Sequence, residues 1–221
     1  MNLPDDLLPG GLLWWAHLLF LPILLFAARY APWHLLQAGF RQNVFLAACV
    51  ALMLLWSLSA GMTPGLQFHY LGATVMVLMF GWHLAIVGLT LVLAGVTLFG
   101  QSGVETFSLN ALLMAVVPAT VSLLVLRVVE RWLPTHFFVY VYLCGFGAAV
   151  LAMGATVALV IGTLHWAGVY ELGRIGYEYG VYVPLMVLTE GFFNGMLITA
   201  LVVYRPDWVI TFDDARYIEG K

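Results

Sequence analysis

The sequence predicts an all-α polytopic membrane protein with about seven transmembrane helices. Three observations lead there. The 221 residues are 63% hydrophobic and only 9% charged, with a mean hydropathy of +1.01; a water-soluble domain carries about 25% charged residues. Apolar runs long enough to approach a membrane crossing recur along the whole chain. The few Lys and Arg residues sort to one side of those runs, as the positive-inside bias requires.

The apolar runs cover residues 12–28, 44–60, 67–80, 84–99, 109–126, 137–165 and 181–204. The third and fourth are short and separated only by Gly81-Trp82-His83; either they tilt, or the third begins as a partly unwound segment at 65–69. With the amino terminus outside, the inner loops and tail hold Arg29, Arg41, Arg127, Arg131, Arg205, Arg216 and Lys221, and the outer loops only Arg174. The carboxyl terminus is then cytoplasmic, in a multi-pass protein of the inner (plasma) membrane. Trp14, Trp15, Trp33, Trp82, Trp132, Trp166 and Tyr204 fall near run ends, where interfacial aromatics anchor a helix.

Residues 1–10 carry Asp5 and Asp6 where a signal peptide needs positive charge, so no signal peptide is expected. No internal repeat or linker divides the chain, which reads as a single integral membrane domain. Cys49 and Cys144 lie in apolar runs without metal-ligand spacing and read as core residues. Eight Lys and Arg residues make no basic patch for nucleic acid. Phosphate-cradling loops, zinc-protease helices and serine-hydrolase elbows are absent from the sequence, so no enzymatic activity is expected.

Polar groups are costly in hydrocarbon, so their positions carry the functional signal. Of six histidines, His34, His83 and His136 fall at inner ends beside tryptophans, a pattern of interfacial residues. His17, His69 and His165 fall in the outer half. Imidazole is a frequent ligand of nickel, copper, zinc and cobalt, so these three are candidate metal ligands. Glu190 is the one carboxylate deep in a run, and Asn194 lies four residues on, on the same helix face. Two readings stand side by side: an ion-path carboxylate, or a packed, protonated group bonded to Asn194 and to a neighbour such as Asn110. Gly191 and Gly195 form a small-xxx-small pair for close helix approach. Asn110 opens the fifth run, to cap it or bond to the third; Pro118 lies within that run, where its missing N–H frees a carbonyl.

Four stretches, in this order, resemble the CbiM/NikM family, the substrate-specific membrane components of energy-coupling-factor cobalt and nickel importers. Met1-Asn2-Leu3-Pro4-Asp5-Asp6 is similar to an opening of Met-His, an apolar residue, Pro, Asp and Gly. Phe68-His69-Tyr70-Leu71-Gly72-Ala73 resembles Gly-His-Leu-Leu-Gly-Gly, and Ser108-Leu109-Asn110-Ala111-Leu112-Leu113-Met114-Ala115 resembles Gly-Ala-Asn-x-x-Asn-Met-Ala. Glu190-Gly191 matches a Pro-Glu-Gly segment on the last helix.

The resemblance implies a permease component whose substrate is a transition-metal ion such as cobalt or nickel, with no bound organic cofactor. Its implied partners are the lipid bilayer, a coupling transmembrane subunit and ATPase subunits. It also implies chelation by the amino terminus, by the backbone and imidazole of the second residue, and by the histidine at the position of His69, a square-planar nitrogen set. Here the second residue is Asn2, and Asp6 stands where the pattern has Gly. The candidate ligands are therefore Met1 and His69, with Asp5, His17 and His165. Either a different ion is bound, or the site is weaker, or the fold serves another purpose. The competing classes are a haem- or metal-binding redox protein and a non-transporting interaction protein.

Overall fold

The computed structural model describes residues 1–37, 39–61 and 63–217; Lys221 lies outside the described residues. It is all-helical, and among the described residues the only β-type pairing is an isolated bridge between Ala60 and Phe68. Six helices are long and apolar enough to cross a membrane. They are α1 (Gly10–Tyr30), α2 (Gly39–Ser57), α3 (Ala73–Leu98), α4 (Phe107–Trp132), α5 (Phe137–Trp166) and α6 (Val183–Tyr204).

Seven apolar runs become six helices because α3 contains two of them. At Gly81 the backbone takes φ 78° and ψ 164°, a conformation essentially reserved for glycine, and the helix doubles back. Residues 76 and 88 lie about 18 Å apart in a straight helix, yet a Cβ built on Gly88 would stand 2.6 Å from Met76 Cε. Arm 73–80 runs antiparallel to α2, with Gly72 against Leu52 and Phe80 against Phe45. Arm 82–98 runs parallel to it, with Gly88 against Phe45 and Gly95 against Met53. The two arms overlap the third and fourth apolar runs of the sequence, and the chain ahead of them is non-helical at 58–61 and 63–72.

The hairpin is the centre of the bundle. In its most apolar stretch 72% of residues are buried, against 22% in α1, whose Trp14, Leu18, Leu21 and Leu25 face outward. An outward apolar face is what a lipid-contacting helix presents. Trp15, Trp33, Trp132, Trp166 and Tyr204 are exposed as anchors should be, whereas Trp82 turns inward to donate to Thr120 Oγ1 at 3.1 Å. Both cysteines are free and buried.

Two helices widen locally. In α4 a π-helical turn covers Leu112–Val116, immediately before Pro118, which has no N–H for the Met114 carbonyl. In α5 a longer π stretch covers Tyr140–Gly147, where Gly145 approaches Gly195 of α6. A Cβ on Gly191 would fall 2.6 Å from Val150 Cγ2, so the two α6 glycines serve close packing against α5, as their spacing predicts.

The two ends of the bundle differ in charge. Around the Gly81 bend, Ile210 and Thr211 of the tail donate to the Met79 and Leu78 carbonyls, both at 3.3 Å, so the bend leaves these acceptors satisfied. Arg216 pairs with Glu130 at 2.9 Å, and Arg205 with Asp207 at 3.0 Å, at this same end. His136 accepts from the Phe138 N–H at 3.2 Å as the N-cap of α5. The opposite end holds Met1, His69 and the 99–106 loop.

Candidate metal centre

The site begins with the first nine residues, which turn into the bundle instead of leaving it: Met1, Asn2 and Leu3 are all buried. An inserted main chain needs partners for every N–H and C=O, and Asn110 provides them. Its Oδ1 accepts the Leu3 N–H at 3.0 Å while its Nδ2 donates to the Leu3 carbonyl at 3.0 Å, so one side chain pairs with Leu3 as a neighbouring strand would. Thr106 Oγ1 adds a 2.6 Å bond to the same carbonyl. Asn110 therefore takes none of the three roles the sequence left open: it does not cap its own helix, bond to the third run or reach Glu190, but bonds to Leu3, Ser102 and Thr106.

Asp5 ties down the other side of the plug. Its carboxylate accepts the N–H groups of Val104 at 2.9 Å, Glu105 at 2.9 Å and Thr106 at 3.2 Å, the orphan donors ahead of α4. Its neighbour Asp6 sits at φ 64°, the only non-glycine positive φ among the described residues.

Residues 63–72 close over this plug. A Cβ on Gly65 would meet Leu3 Cδ2 at 2.9 Å, and the Met1 amine donates to the Gln67 carbonyl. His69 follows, buried, with its ring against Trp56 at 5.2 Å between centroids. Trp56 also donates Nε1–H to the Leu71 carbonyl at 3.2 Å. His69 Nδ1 lies 3.1 Å from the Tyr70 carbonyl. A carbonyl only accepts, so Nδ1 carries the proton and Nε2 the free lone pair. That Nε2 is buried without a hydrogen-bond partner.

The electrostatics favour neutral donors. Burial holds the Met1 amine down at about 4, from 8.0. Burial, and then the charge of the nearby amino terminus, lower His69 to about 3, from 6.5, against the opposing Tyr70 bond. Both groups offer lone pairs at neutral pH. Asn2 follows Met1 in the buried plug: its Nδ2 donates to the Gln101 carbonyl at 3.2 Å, and its Oδ1 is buried without a partner.

From the far side, α6 fixes the His69 segment. Glu190 accepts the N–H of Leu71 at 3.0 Å and of Gly72 at 2.8 Å, and Asn194 Oδ1 accepts the N–H of Val75 at 3.1 Å. Asn194 Nδ2 also donates to Glu190 Oε1 at 2.8 Å. These two side chains cap the start of α3 from another helix, and the conformation that carries His69 depends on them.

The remaining candidate residues have other surroundings. His17 Nδ1 bonds to Ser108 Oγ at 2.6 Å, and His165 is exposed, 3.3 Å from the Tyr170 carbonyl. No three His, Cys, Asp or Glu side chains converge among the described residues. Trp56, Gln67 and Gln101, which shape this site, carry no sequence signal: two act through main-chain carbonyls and the third lies inside an apolar run. Beyond Leu66 and Phe68 a cavity of about 700 Å³ opens, rimmed by Thr63, Glu178 and Tyr182. Hydrogen bonds from Arg174 and Thr63 keep the Glu178 carboxyl below its ordinary range.

In three dimensions the chain is similar to the crystal structure of a truncated transition metal transporter. The TM-score is 0.76 at 17% identity, over 92% of this chain and 99% of that one. It is equally similar to the crystal structure of a transition metal transporter, with a TM-score of 0.75 at 18% identity, over 91% and 92% of the two chains. At such identities the likeness is one of fold. No curated protein matches the sequence. The profile of the cobalt uptake substrate-specific transmembrane region, CbiM, matches residues 2–208. With nearly the whole chain aligned to that profile, this protein belongs to the CbiM family of cobalt uptake substrate-specific transmembrane proteins.

Proposed function

We propose that the chain is the substrate-binding permease component for a transition-metal ion such as cobalt or nickel, held by the Met1 amine and His69. It works with a coupling transmembrane subunit and ATPase subunits in the inner membrane, its Met1 end outward. The observation that carries this reading is the His69 imidazole: buried, neutral, its proton committed to Tyr70 and its Nε2 lone pair unpartnered beside a buried amine. A buried unsatisfied acceptor costs about 1–3 kcal/mol, and a divalent cation satisfies it. The basic ends of the helices gather at the opposite end of the bundle, which matches the positive-inside bias. Asp5, Asn110, Glu190 and Asn194 position the donors and do not ligate. His17 and His165 stand outside the ligand set in this reading.

The test is the metal content and visible spectrum of the detergent-purified protein after exposure to nickel, cobalt, copper and zinc salts, with His69→Ala as control. Near-stoichiometric binding that the substitution abolishes supports the reading. Binding unaffected by His69→Ala, or a haem spectrum in the purified protein, overturns it.

A further inference from the structure

A groove of about 490 Å³ lies between α2, the first arm of α3 and α6. Its walls are apolar: Ala47 and Ala51 of α2, Met76 and Met79 of α3, Leu197 and Leu201 of α6. The two alanines are exposed, and their small side chains leave the groove its room. From Phe40 to Leu55 the groove follows α2 for about 22 Å, at about 1.5 Å per residue. That is more than the depth of one leaflet, half of a hydrocarbon core about 30 Å thick.

The basic end of the groove has a different chemistry. Trp208 lines the groove there, and it also lines a narrower cavity that it shares with Arg41. Its Nε1–H is buried without an acceptor, and a buried donor left unpaired is costly. Arg205 lies over the Trp208 ring at 4.6 Å and over the Phe40 ring at 5.0 Å. Its guanidinium holds both oxygens of Asp207, at 3.1 and 3.0 Å. Asp207 is also the carboxylate that feels the charge of Arg41, but Arg41 makes no salt bridge of its own among the described residues. An apolar groove thus ends beside an unused N–H donor and a cation with no ion-pair partner.

The matching occupant is apolar along its length, with acceptor oxygens and a negative charge at one end. A phospholipid has that order: acyl chain, ester oxygens, phosphate. An apolar helix does not, because its backbone carbonyls are already bonded within the helix and would leave the Trp208 N–H unpaired. We propose that the groove holds an acyl chain of an anionic glycerophospholipid from the leaflet at the basic end, with its headgroup oxygens on Trp208 Nε1 and Arg41. Basic residues at helix ends attract anionic headgroups; here the cation adjoins a groove that recognises the chain as well as the charge. The headgroup site is at the opposite end of the bundle from Met1 and His69, so it stands independently of the metal reading.

The experiment is native mass spectrometry of the delipidated full chain in detergent, titrated with dioleoyl phosphatidylglycerol or dioleoyl phosphatidylcholine. Native protein is compared with Arg41→Gln, Trp208→Phe and Ala51→Phe, and with Arg131→Gln as a basic-end control away from the groove. Thermal unfolding confirms that each variant is folded. Native protein should take up one phosphatidylglycerol ahead of any further lipid, and in preference to phosphatidylcholine. Arg41→Gln should weaken that first binding by about fivefold, the scale of one basic residue near an anionic surface. Trp208→Phe, which keeps an aromatic ring but loses the N–H, should weaken it by about fivefold as well, the scale of one hydrogen bond. Ala51→Phe fills the groove and should abolish the first binding, while Arg131→Gln leaves it intact. Inorganic phosphate in excess should not displace the lipid, since it lacks the chain.

Equal uptake of the two lipids overturns the inference, as does a first binding undiminished in Ala51→Phe. An equal loss in Arg41→Gln and Arg131→Gln overturns it too, by reducing the effect to general attraction at a basic surface. A native chain that retains no lipid but forms a protein complex blocked by Ala51→Phe assigns the groove to a helix and overturns the lipid reading.

Discussion

Glu190 of α6 accepts the backbone N–H of Gly72 at 2.8 Å, so the last of the six long helices sets the conformation of the segment that presents His69. The first N–H groups of any helix lack internal partners, and those of α3 are buried inside the bundle, away from water. Glu190→Gln turns one acceptor oxygen into an N–H that faces another donor, and Glu190→Ala removes both oxygens. Loss of about 1–3 kcal/mol is expected for each buried donor left unpaired. Thermal unfolding in detergent should show the order native, Gln, Ala, with metal affinity falling in the same order. A metal affinity that survives Glu190→Ala would separate Glu190 from the site.

The Gly81 bend makes an independent prediction. Its φ of 78° and ψ of 164° are open to glycine alone, and a Cβ there would also press on Ile210 Cδ1 at 3.2 Å. Gly81→Ala should destabilise by about 1–3 kcal/mol or more, whereas Gly100→Ala, with open space around it, should lose less despite its own positive φ of 73°. Equal unfolding temperatures for the two variants would contradict the hairpin.

The passages were legible in the sequence because hydrocarbon permits few alternatives to a long apolar helix. The break at 81–83 was legible too, since Gly81-Trp82-His83 interrupts the apolar pattern, and an unwound start at 65–69 was one of two alternatives for the short third run. The merging of two passages into one bent helix was not: it depends on a single glycine dihedral and on tail residues 210–211 that cover the bend. Glu190 and Asn194 announced themselves as costly intramembrane polar groups, but their partners are main-chain N–H groups almost 120 residues away, which no spacing encodes. Asn110 was misassigned for the same reason, since its partner is the backbone of Leu3.

Asp6 occupies a left-handed position, φ 64°, at the turn that sends the amino terminus into the bundle. An L-residue there costs about 1–2 kcal/mol, less for Asp than for most; glycine avoids that strain but loses more chain entropy on folding, about 0.5–1 kcal/mol. Asp6 is exposed and makes none of the ties that Asp5 makes. Asp6→Gly should therefore be neutral to stabilising, by up to about 1 kcal/mol, in thermal unfolding, whereas Asp5→Ala should destabilise. A destabilised Asp6→Gly variant would mean that the Asp6 side chain holds the plug.

Acid should loosen the metal-free protein through the same groups that bind the ion. The Met1 amine falls from 8.0 to about 4 on folding, and His69 from 6.5 to about 3. Both are bases held neutral by burial, so between each pair of values the unfolded chain binds more protons than the folded one. Stability then rises with pH through those windows. It is fully present above about pH 8 and is lost progressively as the pH drops toward 4. In chelator-treated protein the unfolding temperature should accordingly fall from pH 8 to pH 5. His69→Ala removes the imidazole's share, below about 6.5, and leaves the amine's share, which runs from about 8 down to about 4, so its profile should become shallower only in the acidic part. Saturating metal needs both groups deprotonated and should steepen the whole profile, because proton and ion compete for the same lone pairs. A metal-free profile that is flat from pH 8 to pH 5 would show that the amino terminus is not buried as a neutral amine.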